Sequence, residues 1–343
     1  MEGLGRLSRR SVALGLVAAS GLAATGRAQT AQTPSIIDIH HHYLPDFWRD
    51  EARQWLLANG SGADAILNWS PQRSLEEMDK AGIATAYLSV TSPGFDFGHP
   101  VSAAPLCRRC NEYAAGLRHD HGERFRFFIA APLPDVDATL AEISHGFDAL
   151  GASGVGLMTN YGGRYLGDPA FDPVLQELNR RGALVHVHPT DAPCCRGLVP
   201  DIPTPTMEFA VDTGRTVASL LWSGALSRYP RIRWVFSHGG GIIPMVYGRV
   251  TAGAKYNPKL AERVPEGAVA ALSRLYVDTA SLTNAPAFAG AEAWLGPDRI
   301  LFGTDYPWSS PSHIVSGLQD LKLGPDKLNR IFRDNALKLV QQV

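Results

Sequence analysis

Eight short runs rich in β-branched and aromatic residues alternate along the chain with stretches of helical periodicity. This alternation limits the fold more than any other feature. The runs lie at 35–39, 84–90, 125–132, 154–160, 184–188, 233–238, 275–280 and 300–305. Helical segments are predicted at 75–81, 104–118, 137–150, 171–181, 208–227, 244–252, 312–321 and 326–340. Strands joined by helical crossovers must lie parallel, and eight of them close into a single (β/α)8 barrel. A doubly wound sheet also alternates, but it usually has fewer strands, and no Gly-x-Gly-x-x-Gly follows the first run. Segments 43–73 and 91–103, rich in Pro, Gly, Ser and aromatics, are predicted as long loops inserted over the C-terminal face.

The first 28 residues read differently from the rest. They carry four arginines against one glutamate, and residues 11–26 carry no charge. Ser8-Arg9-Arg10-Ser11-Val12 precedes this apolar run and Gly26-Arg27-Ala28 follows it. That layout predicts a cleaved export signal of twin-arginine type over 1–28, with the barrel occupying 29–343. Sixteen uncharged residues fall short of the roughly 20 that span a bilayer. The expected mature protein is periplasmic or extracytoplasmic and has no membrane attachment. The whole chain has a formal charge of −1, which argues against a nucleic-acid partner.

Active sites of such barrels lie at the C-terminal strand ends. Four ends here carry metal-binding residue types: Asp38-Ile39-His40-His41-His42, His186-Val187-His188-Pro189, Ser237-His238-Gly239-Gly240-Gly241 and Gly303-Thr304-Asp305-Tyr306-Pro307. Residues two apart on a strand share a side, so His40 and His42 point the same way and His41 faces away. His40, His42, His188 and Asp305 are the candidate ligands of one divalent metal. Three imidazoles and a carboxylate suit zinc first and manganese second. His186 lies deeper and reads as a hydrogen-bonded interior histidine, and Asp278 as a satisfied interior carboxylate, with support of a ligand from behind as its alternative. His238, on a neighbouring strand end, is the candidate general acid/base, with a fourth histidine ligand as its alternative. Tyr161, Trp308, Trp69 and Tyr306 are candidates for an aromatic pocket. An intact ligand set with His238 disfavours a purely binding protein.

Asp-x-His-x-His, His-Pro, His-Gly-Gly-Gly and Gly-Thr-Asp-Tyr-Pro together resemble the amidohydrolase superfamily, in the branch of amino-carboxymuconate-semialdehyde decarboxylase. The likeness runs from about Ile36 to the C-terminus. Gly156-Leu157-Met158-Thr159-Asn160-Tyr161-Gly162, Leu166-Gly167-Asp168-Pro169, and Cys194-Cys195 ahead of Asp212-Thr213 look most similar to 6-methylsalicylate decarboxylases. The resemblance implies a metal-dependent carboxy-lyase acting on a small aromatic, salicylate-type, or unsaturated carboxylic acid. Its alternative is a hydrolase or hydratase of an ester, lactone or amide. Asp305 or His238 would protonate the ring carbon, or His238 would activate a water. The resemblance also implies that Arg249 reaches a neighbouring subunit's site and grips a substrate carboxylate, which requires a homodimer. The plain reading of Arg249 is a solvated helix charge. One position departs from the pattern. Where the branch often carries an arginine four residues before Met78-Asp79, this chain has Ser74, with Arg73 about 100° away around a helix. That points to a substrate with one acid group. Four cysteines, Cys107, Cys110, Cys194 and Cys195, permit three disulfide connectivities after export or none.

Overall fold

The computed structural model describes residues 35–59, 62–98 and 102–341. The predicted signal at 1–28 lies outside them. The described residues fall within one compact unit, Thr33–Val343. Its eight parallel strands are β1 (Ile36–His42), β2 (Ile83–Ser89), β3 (Phe125–Ala130), β4 (Gly154–Met158), β5 (Leu184–His188), β6 (Arg233–Phe236), β7 (Tyr276–Asp278) and β8 (Ile300–Leu301). They pair in chain order as a (β/α)8 barrel. Backbone bonds bring β8 and the segment after it against β1: Ile39 N–H donates to Phe302 O at 2.9 Å, Asp305 N–H to His40 O at 2.9 Å, and His42 N–H to Tyr306 O at 2.8 Å.

Asp38 ties the same junction through side chains. It is fully buried and accepts from the His40 N–H at 3.1 Å, the Thr304 N–H at 3.0 Å and the Thr304 hydroxyl at 2.6 Å. His41 Nδ1 adds a fourth contact at 3.0 Å. Removing this carboxylate strands several buried donors at once. Asp38→Ala is therefore expected to cost about 3–5 kcal/mol, read as a lower denaturant midpoint with an unchanged slope.

Ile37, Ile39, Tyr87, Phe128, Leu184, Val235 and Leu301 form a small apolar cluster with Ala336 and Leu339 of the C-terminal helix. Strict alternation would send His40 away from Ile39. Pairing between β1 and β2 is irregular between Asp38 and His41, and this bulge brings His40 to the same side as Ile39. His41 then points outward, with its Nε2 at 2.7 Å from the buried Ser74 hydroxyl.

The structure corrects several boundaries. Segment 43–73 is not a loop: it holds helices Asp46–Ala58 and Asp64–Leu67, and helix Pro71–Ala81 starts within it. The first buries Trp48, Ala52 and Leu56, four residues apart. Helix Ala285–Leu295 follows β7, capped by the Asn284 side chain. The predicted helix 208–227 is two helices, Pro205–Trp222 and Ala225–Arg228, separated at Gly224, whose φ of 81° a helix cannot use. Cys194 and Cys195 are joined to each other, and Cys107 and Cys110 are buried free thiols. Among the described residues, no helix is long and apolar enough to cross a membrane.

Candidate metal centre

His40 and His42 from β1, His188 from the end of β5 and Asp305 beyond β8 converge, their ligand atoms all within 4.8 Å of one another. His42 Nε2 lies 3.0 Å from Asp305 Oδ1, and His40 Nε2 lies 3.3 Å from it. The four predicted ligands thus form one group.

Each imidazole is turned by an acceptor on its far side. His40 Nδ1 lies 2.9 Å from Asp278 Oδ2, His42 Nδ1 3.2 Å from Ser89 O, and His188 Nδ1 2.8 Å from Pro189 O. Donation from Nδ1 leaves each Nε2 with a bare lone pair facing inward. His40 Nε2 and His42 Nε2 then face each other at 2.9 Å, an arrangement that calls for positive charge between them. His188 Nε2 is buried with no hydrogen-bond partner. Among the described residues, the ion-pair partners of the buried Asp278 and of Asp305 are all histidines. This donor set fits a divalent cation.

The same charges set the titration of the groups. Burial opposes a charge on His40, yet Asp278 and Asp305 outweigh it and lift its pKa to about 10. Burial takes His42 down to about 4 despite Asp305, and takes His188 well below the usual range. Burial alone would raise Asp305, but His40, His188 and His238 hold it well below an ordinary carboxylate. A cation held by this group would have to displace the proton on His40.

Asp278 does more than sit satisfied inside the barrel. Besides His40 it takes His186 Nε2 at 3.2 Å and the backbone N–H of His238 at 3.0 Å. It therefore fixes the His40 ring and the His238 backbone together. Gly303 makes this approach possible, since a Cβ there would meet the Cβ atoms of both His40 and Asp278 at 2.8 Å. His186 is the interior histidine expected, stacked on Phe128 at 5.5 Å.

His238 Nε2 lies 3.1 Å from Asp305 Oδ2. Both residues hold left-handed backbone, φ 54° and 61°, a conformation that non-glycine residues rarely adopt. Both line a cavity of about 580 Å³ together with His188 and Trp308. Trp308 meets His42 edge to face at 5.4 Å.

Other candidates fall elsewhere. Tyr161 does not line this cavity; its hydroxyl accepts from the Met158 N–H at 2.9 Å and its ring packs on Phe171. Trp69 is core, and Tyr306 stacks on His41 at 4.8 Å. Arg73 turns outward to Asp64 at 2.6 Å, so neither it nor Ser74 offers a clamp. Arg249 is exposed on helix Ile243–Thr251 and does not line its own chain's cavity. Sequence reasoning missed Trp55 and Phe209 in the lining. The 48–52–56 spacing of buried residues would have revealed the helix that carries Trp55.

The family model described as amidohydrolase matches residues 37–341. The decarboxylase yanB of Aspergillus niger is 35% identical over 321 residues, covering 88% of this chain and 86% of its own. The 6-methylsalicylic acid decarboxylase of Penicillium expansum is 34% identical over 279 residues, covering 79% and 84%. The fold is shared with a 5-carboxyvanillate decarboxylase from Novosphingobium aromaticivorans, solved with manganese and 4-hydroxy-3-methoxy-5-nitrobenzoic acid. That structure has a TM-score of 0.78 at 20% identity, covering 90% of this chain and 96% of the other.

Proposed function

The chain belongs to the amidohydrolase family, and on that premise we propose that it is a metal-dependent, non-oxidative decarboxylase of a salicylate-type aromatic acid. The observation that carries this reading is the His40, His42, His188 and Asp305 set with His238 beside it in one cavity. His40, His42, His188 and Asp305 would hold a divalent ion, zinc before manganese, which would supply Lewis-acid chemistry to a bound acid.

His238 is the proton donor. Its Nε2 is steadied by Asp305 and its ring lines the cavity, so it can hold a proton against the ring carbon that bears the carboxylate. That carbon gains the proton and becomes tetrahedral. Its bond to the carboxyl carbon then breaks, the electron pair returns to the ring, and carbon dioxide leaves. Asp305 fixes the His238 ring for this transfer, and Trp308 supplies an aromatic wall for the substrate ring.

Among the described residues lining the cavity there is no lysine or arginine. A guanidinium to grip the carboxylate must come from elsewhere. Arg249, exposed beyond Met245 on the same helix, fills that role in the site of a second copy, so the working unit is a homodimer. Arg249→Ala is expected to raise KM. Co-expression with His238→Gln chains is expected to restore turnover, since a hybrid dimer keeps one complete site. No recovery in the hybrid sinks the shared site.

Residues 1–28 read as a cleaved export signal, because Arg9-Arg10 precedes the uncharged run. Mass spectrometry of the exported protein should find a new N-terminus at Gln29. For the activity itself, metal-loaded protein is given salicylate-type and muconate-type acids and carbon dioxide is measured. Release from salicylates supports the proposal. No release from any acid, beside clean hydrolysis of an ester or lactone, replaces it with the hydrolase reading.

A further inference from the structure

The cavity reaches well beyond the metal group. Its volume of about 580 Å³ lies in the range of pockets that enclose drug-sized molecules, more than a single-ring acid fills. Among the described lining residues, His188, His238 and Asp305 are the only ionisable side chains. Pro205, Phe209, Pro244, Met245, Ala287 and Gly290 form an apolar arm of the lining, which runs from Phe209, 6.0 Å from the His188 ring, to the exposed Met245.

Three helices begin around this arm: Pro205–Trp222, Ile243–Thr251 and Ala285–Leu295. Helix starts usually offer free N–H groups to an anion. Here each has proline in its first two positions, and Pro205, Pro244 and Pro286 all line the cavity. Proline has no N–H to offer and presents a hydrocarbon ring instead. With no lysine or arginine in the lining and a proline ring at each helix start, the arm favours an apolar group over a second acid. It is continuous with the site where the carboxylate binds.

We propose that the arm receives an alkyl substituent on the ring, longer than methyl, so that the preferred substrate is an alkylsalicylate. This rests on the decarboxylase reading above. Two panels of salicylic acids test it, bearing hydrogen, methyl, propyl or pentyl at position 6 or at position 4. In at least one panel kcat/KM is expected to rise about fourfold per added methylene until the arm is full. Ala287→Phe, which fills the arm, is expected to pull the pentyl-to-hydrogen ratio of kcat/KM back toward one. Thr206→Phe, from a different helix, is expected to do the same should the first variant not fold. Turnover of salicylate with flat or falling values in both panels overturns the inference and leaves the decarboxylase reading standing. A flat series together with a dimer that Met245→Glu dissociates assigns the arm to a second copy, and also overturns it. No carbon dioxide from any acid removes the decarboxylase reading and this inference with it.

Discussion

His238→Gln is expected to lower kcat by about two to four orders of magnitude on the best acid, with bound metal and KM near wild type. The reason is geometric. Imidazole Nε2 stands 3.1 Å from Asp305 Oδ2, and Asp278 pins the His238 backbone N–H at 3.0 Å. A glutamine amide can still bond to Asp305, but it cannot release and regain a proton near neutral pH. The lost interaction belongs to the transition state, so the effect falls on kcat and not on KM. Rapid-quench turnover and metal analysis on one preparation check both halves. A kcat within tenfold of wild type would move the proton donor to Asp305.

On the proposed reading, Asp305→Ala is expected to empty the centre of metal and bring turnover to background. Three neutral imidazoles remain, but the carboxylate that faces all of them is gone, and His238 loses its anchor. Asp278→Asn makes the useful contrast. It keeps all four candidate ligands and disturbs the support of His40, the fixing of His238 and the contacts to His186 and the Ala280 N–H. Its metal affinity should fall by about 10–100-fold, well short of the Asp305 loss, as read by competition with a chromogenic chelator. Stoichiometric metal in Asp305→Ala would remove that residue from the ligand set.

The barrel and the convergence of His40, His42, His188 and Asp305 were legible in the sequence for one reason. Strand ends are where this fold keeps its chemistry; His40, His42 and His188 sit at two of them, and Asp305 follows the end of a third, Ile300–Leu301. Strand parity alone placed His40 and His42 on a common side. It could not show the bulge that brings Ile39 to that side as well, because an irregularity in pairing leaves no mark on residue type. The helix at Asp46–Ala58 was hidden by its polar composition and by Pro45 and Trp48, which resemble loop punctuation. Its omission cost Trp55 as a wall residue. Tyr161 shows the opposite error. It stands just past a strand end, yet its hydroxyl serves a backbone N–H three residues back. Only the hairpin of Asn160–Tyr161 with Arg164–Tyr165, set by tertiary context, decides where that ring goes.

The closing junction of the barrel has a consequence for the life of the protein. His40 and His42 come from the first strand and Asp305 from beyond the last, and His42 and Asp305 are 263 residues apart in the chain. An ion held by them latches the start of the fold to its finish. It cannot be loaded onto a partly synthesised chain, because the last ligand does not yet exist. On the proposed reading, capture of the metal would therefore follow completion of the chain and would add to the stability of a barrel that Asp38 and the backbone already close.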